Sequence, residues 1–233
     1  MPTSSKTGIS AQKNVPILCL DTCAILDILR DPTRRDVHIH EQEASLSLLQ
    51  ATESGSNLEA LIADQVSTEF QDNVQKVEEE VKDGLSKLRD QIDKIDKLTT
   101  LHGSPGQVDT NHWKDYAMRC RNVAERWLKS SIPVPQSDQI VVNAFHRVSQ
   151  ARSPAQKGKD SMKDCVILET YLEYIRRLRN DGLTEVAVFV SSNTKDYAET
   201  NGAVVRKDLE NEFNSIGLEY APNMAAAKHL LGL

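Results

Sequence analysis

The sequence predicts an α/β fold: a central parallel sheet covered by helices in a three-layer α/β/α arrangement, with an inserted helical hairpin. Three short, mainly apolar runs, residues 15–20, 58–62 and 186–190, have strand length and alternate with segments of helical period. Each run gives way to acidic or polar residues before the next helical pattern starts, the order expected of a parallel sheet. Val77, Val81, Leu85, Leu88, Ile92 and Ile95 follow at spacings of 4, 4, 3, 4 and 3, a coiled-coil-like seam. That seam predicts one arm of the hairpin, placed after the second strand.

Residues 1–14 are polar, rich in Ser and Thr, and carry no apolar segment of the signal-peptide kind, so they are expected to form a flexible tail. Residues 15–233 are expected to make one domain, with the helical insertion at about 71–153. The run at 15–20 ends at Asp21 and Thr22, and Ala24, Ile25, Ile28 and Leu29 then recur at helical spacing. A turn around Pro32 carries Arg34 and Arg35. A helix is expected at 37–51, a second strand at 58–62, and a long helix beginning near Val66 and Glu69. A turn at 99–106 leads to Trp113, Tyr116, Cys120, Val123 and Trp127, a matching stripe for the second arm. Both tryptophans read as hairpin core rather than as a base-stacking platform. Ile132, Pro133, Val134 and Pro135 read as a break. A short helix then carries Val141, Ala144, Phe145 and Val148, and a basic loop follows with Lys157 and Lys159. The next helix buries Cys165, Leu168, Leu172 and Ile175. A third strand at 186–190, a helix at 206–213, a short strand at 218–220 and a last helix complete the chain.

Composition narrows the function. The chain has 233 residues, 39% hydrophobic and 27% charged, an ordinary globular balance. No run approaches the roughly 20 apolar residues of a membrane helix, so no membrane partner is expected. Four cysteines sit inside apolar-periodic segments without zinc-site spacing, and cytoplasmic thiols fit them best. Aromatics are only 5%, which argues against single-strand binding by base stacking. The net charge of −6 counts against a polyanion partner, yet the charge is uneven. Residues 64–97 hold ten acids and six bases, whereas 147–179 hold eight bases and four acids.

Four acids fall at corresponding places. Asp21 ends the first strand, Glu69 lies early in the helix after the second, Asp164 opens a later helix, and Asp196 follows the third strand with Asn193 one turn before it. Parallel strands with right-handed crossovers bring such turns to one edge of the sheet, where ligands bind. Each acid also has a plainer reading. Asp21 suits a helix N-cap, Ser161 with Asp164 resembles a capping box, Asp160 suits a helix dipole, and Glu69 suits a surface helix. Converging carboxylates repel one another, and a hard cation such as Mg²⁺ or Mn²⁺ resolves the repulsion.

Taken together these residues resemble the PIN-domain nucleases. The resemblance rests on Leu20, Asp21 and Thr22 at a strand end, on Val66 with Glu69, on Lys163, Asp164 and Cys165, and on the stretch from Ser191 through Asn193 to Asp196 and Tyr197. It leaves residues 77–153 uncovered, and Asn193 stands where many members carry Asp. The resemblance implies a PIN-like fold and Mg²⁺- or Mn²⁺-dependent hydrolysis of phosphodiesters, usually in RNA. Asp21, Glu69, Asp164 and Asp196 are then the candidate catalytic and metal-ligating residues. Thr22, Asn193 and Asp160 would support them, and Lys157, Lys159, Lys163, Arg34 and Arg35 would hold substrate phosphates. For those five a solvated face is an equal reading. A toxin or defence role, an antitoxin or regulatory partner and a homo-oligomer are further implications of the resemblance. The alternative is a catalytically inactive PIN-like module that binds RNA or protein. A haloacid-dehalogenase-type phosphatase needs a second Asp where this chain has Cys23, and no Gly-rich turn supports a dinucleotide site.

Overall fold

The computed structural model describes residues 14–55, 57–200, 202 and 204–233; the tail expected at 1–14 lies outside them except for Asn14. Five parallel strands form one sheet: β1 (Ile17–Leu20), β2 (Glu59–Ala63), β3 (Ile132–Val134), β4 (Ala187–Val190) and β5 (Leu218–Ala221), in the order β3-β2-β1-β4-β5. Every residue of β1 and β4 is buried, as required of central strands covered on both faces. The predicted α/β class and parallel sheet are therefore present.

Around the sheet run α1 (Thr22–Leu26), α2 (Ile39–Ser54), α3 (Asp64–Leu101), α4 (Tyr116–Ser130), α5 (Asp138–Ser149), α6 (Met162–Asn180), α7 (Thr194–Tyr197), α8 (Lys207–Ile216) and α9 (Met224–Leu230). Helix α2 packs with α4 and with α9, and α6 packs with α5 and α8. The chain leaves β1 toward β2 and β3 and later returns to the other side of β1 as β4. The order therefore reverses between β1 and β4, which makes their carboxyl ends the natural ligand crevice of an open parallel sheet.

The segment at 71–153 departs from the expected helical insertion. Ile132, Pro133 and Val134 form the edge strand β3 rather than a break, pairing with Leu61, Ile62 and Ala63 of β2. Pro133 has no N–H to donate, and an edge position needs bonds on one side only. Ala124, Trp127 and Val134 also join the main hydrophobic core. The hairpin is shorter than its seam suggests. Helix α3 has 38 residues, about 57 Å, against 15 residues, about 22 Å, for α4. Consequently Val74 and Val81 are buried, whereas Ile95 is 57% exposed. Trp127 is core, its indole N–H donating to Ser45 Oγ at 3.2 Å. Trp113 is not: it sits half-buried in a 3-10 turn (Asn111–Trp113), cut off from α4 by Asp115 at φ 61°.

Candidate active site at the carboxyl edge of the sheet

Asp21 follows the last residue of β1 and is buried. Its Oδ1 accepts the Thr22 N–H at 2.7 Å as the cap of α1, so the plainer reading holds for one oxygen. The other oxygen faces β4: it accepts Ser191 Oγ–H at 2.5 Å and the Cys23 thiol at 3.1 Å. The Asp21–Ser191 bond thus crosses the crevice where the strand order reverses. Burial raises the Asp21 carboxyl above its ordinary range; the bonds from Ser191, Cys23 and Thr22 oppose that shift, and Glu69 adds to it.

Glu69 lies in the second turn of α3, half-buried, and accepts Thr22 Oγ–H at 2.8 Å and Gln65 Nε2–H at 3.2 Å. Asp164 occupies the first turn of α6. Burial, followed by repulsion from Asp21 and Asp196, pushes its carboxyl up to about 7, with Lys159 opposing and Glu69 adding. Its carboxylate makes no side-chain hydrogen bond among the described residues. The capping box expected with Ser161 does not form, because Ser161 makes no side-chain cap bond and its buried Oγ has no partner.

Asp196 belongs to the single turn α7 after β4 and is 1% exposed. Asn193 Nδ2 donates to its Oδ2 at 2.7 Å, Gln156 Nε2 donates to its Oδ1 at 2.6 Å, and the Lys159 ammonium also bonds Oδ2. The four acids, from four separate elements, therefore share one edge of the sheet and act on one another electrostatically. Thr22 and Asn193 touch them. Asp160 stays on the surface, its Oδ1 3.5 Å from the Met162 N–H. Of the basic residues, only Lys159 contacts an acid of the site. Lys157, Lys163 and Arg35 are exposed, and Arg34 is forked onto Asp36 at 3.0 and 2.8 Å.

Three tyrosine hydroxyls whose bonds the sequence does not reveal brace the edge. The Tyr171 hydroxyl accepts the Ala63 N–H at 3.0 Å and donates to the Leu20 carbonyl at 2.5 Å, tying the ends of β2 and β1 together. Tyr220 donates to the Ser191 carbonyl at 3.0 Å, and Tyr197 donates to the Asp164 carbonyl at 3.2 Å. Nothing marks these hydroxyls in the sequence, since their partners are 29 to 151 residues away. Gln156 also escapes sequence reading, placed by a loop of no regular period.

Among the described residues no three His, Cys, Asp or Glu side chains are grouped so that they could hold a metal ion between them. The donor set of the four acids is nonetheless all oxygen, and it includes one unbonded carboxylate, Asp164. That fits a hard divalent cation, which keeps several waters and takes only one or two carboxylates. No helix among the described residues is long and apolar enough to cross a membrane.

No curated protein and no solved structure matches the chain. The family model described as PIN domain matches residues 18–197, well over half of the sequence. The match opens inside β1 and closes at Tyr197, spanning β2, β3, β4 and all four acids and leaving β5 outside, and the chain belongs to the PIN-domain family.

Proposed function

We propose that this PIN domain is a metal-dependent endonuclease of RNA. PIN domains are generally nucleases. The observation that carries the reading for this chain is Asp164, a carboxyl pushed to about 7 by burial and by two neighbouring acids while it lacks hydrogen-bond partners. Such a group is costly to hold ionised alone and is relieved by a bound cation.

Asp164, with Asp21, would hold Mg²⁺ or Mn²⁺ together with several waters, and Glu69 would orient one of those waters, with Asp196 beside them. When bound, the ion supplies charge stabilisation at the phosphoryl oxygens and a more acidic water nucleophile. The remaining work belongs to the chain. Ser191 and the Thr22 N–H fix the two oxygens of Asp21, and the Thr22 hydroxyl turns Glu69 inward. The Tyr171 hydroxyl holds Leu20 and Ala63 so that Asp21 and α3 keep their spacing. Lys159 contacts Asp196, and exposed Lys157 and Lys163 lie on the same stretch of chain, so the three can hold phosphates on either side of the scissile bond without reading bases.

Paired RNA and DNA oligonucleotides of one sequence, incubated with Mg²⁺, Mn²⁺ or EDTA, test the substrate class. The proposal expects cleavage inside the RNA that EDTA abolishes. Cleavage of the DNA alone would overturn the choice of RNA.

A further inference from the structure

The segment between α5 and α6 is held at two points. At its base lies Arg147, 1% exposed. Its Nε donates to Glu169 Oε1 at 2.6 Å, Nη1 to the Ser153 carbonyl at 2.7 Å, and Nη1 and Nη2 to Glu212 at 3.2 and 2.6 Å. Arg152 adds a bond to the same Glu212 at 2.5 Å, and Asp208 accepts the Ser153 N–H at 2.8 Å. A guanidinium is buried only where its fork of donors is used, and this one joins the segment to α6 and α8.

At the far end the segment grips Asp196. Gln156 Nε2 donates to Oδ1 at 2.6 Å and to the Lys195 carbonyl at 3.1 Å, while Lys159 shares Oδ2 with Asn193. Both oxygens of Asp196 are therefore taken, as are those of Asp21 and Glu69, but Asp196 differs from both in having a lysine that already compensates its charge. Asp164, a few residues further on, is the opposite case, unbonded and repelled by its neighbours.

We propose that Asp196 is a positioning residue rather than an ion ligand, and that with Arg147 it clamps residues 150–161 into a strap seating Lys159 beside the scissile phosphate. The proposal rests on the nuclease reading and deepens it. Lys159 spends one of its three ammonium donors on Asp196, and the side chain is 45% exposed, leaving the others for substrate oxygens. Asp196 keeps the ammonium in place between encounters, so the phosphate meets a cation that needs no reorganisation.

The test compares wild type, Asp196→Asn, Lys159→Ala, their double variant and Asp164→Asn. It reads Mn²⁺ affinity by calorimetry, amide hydrogen exchange over residues 150–161, and KM against kcat for RNA. Asp196→Asn is expected to keep Mn²⁺ affinity within about threefold, the scale of one screened charge. Asp164→Asn is expected to lose about tenfold or more. Exchange in the strap should rise about tenfold in Asp196→Asn and stay unchanged in Asp164→Asn. KM should rise by one shared factor in Asp196→Asn, Lys159→Ala and the double variant, because they remove a single contact.

Loss of Mn²⁺ affinity in Asp196→Asn equal to that of Asp164→Asn, with the strap still protected, would overturn the proposal and make Asp196 a ligand. Multiplying KM effects in the double variant would also overturn it. Wild type that binds no Mn²⁺ and cleaves no RNA would instead overturn the nuclease reading, and strap exchange would then decide the clamp by itself.

Discussion

Replacing Asp164 by Asn should make the metal-free protein more stable at pH 8 while weakening its activity. The carboxyl moves from an ordinary 3.8 to about 7, chiefly because folding buries it and brings Asp21 and Asp196 close. At about 1.4 kcal/mol per pKa unit, holding it ionised above pH 7 costs at most about 4 kcal/mol. Asp164 keeps some solvent contact, so about 1–2 kcal/mol is the realistic share. Its folded pKa lies above its unfolded one, so its favourable contribution is complete below about 4 and is lost as pH rises through about 7. Asn keeps the shape without the charge. In EDTA at pH 8 its melting temperature should exceed that of wild type by about 2–8 °C, and the gap should close at pH 4. Thermal unfolding by circular dichroism at the two pH values reads both. An Asn variant less stable than wild type at pH 8, or a gap that does not shrink at pH 4, would refute the strained-carboxylate reasoning.

The same logic predicts that Mn²⁺ raises the melting temperature of wild type more at pH 8 than at pH 5, since protons compete for Asp164. Equal shifts at both pH values in differential scanning calorimetry would contradict it. Tyr171→Phe removes the hydroxyl shared by Leu20 and Ala63 and should cost about 1–3 kcal/mol, measured by urea unfolding. Arg147→Ala leaves Glu169 and Glu212 without their cation and should cost about 3–5 kcal/mol in the same assay. Loss below about 1 kcal/mol would mean that the buried network is solvated or rearranges.

Four of the five strands are legible, and the three inner ones, β1, β2 and β4, are so as short apolar runs, because parallel strands buried on both faces admit little else. β3 is not, because Pro133 reads as a breaker, and only its edge position makes it tolerable. The acids were legible as strand-end and helix-start residues, since a parallel sheet delivers such turns to one edge. Their individual states were not. Asp21 is both cap and site residue, Asp164 lacks the cap that its spacing suggests, and Asp196 is bound by a loop residue, Gln156, with no sequence signal. The basic stretch at 147–179 misleads in the same way. Arg147 and Arg152 serve Glu212, and Arg179 donates to the carbonyls of Leu183, Glu185, Ile216 and Gly217, so these three are committed to packing rather than to phosphates. Charge counts along a chain cannot distinguish a solvated cation from one already spent on the fold.

The most direct test of the central claim is cleavage of a mixed RNA pool with Mg²⁺ or Mn²⁺ by wild type, Asp21→Asn and Asp164→Asn. The account predicts cleavage by wild type alone, abolished by EDTA, with both variants folded. Equal cleavage by all three proteins, or none by a wild type that still binds RNA, would contradict it.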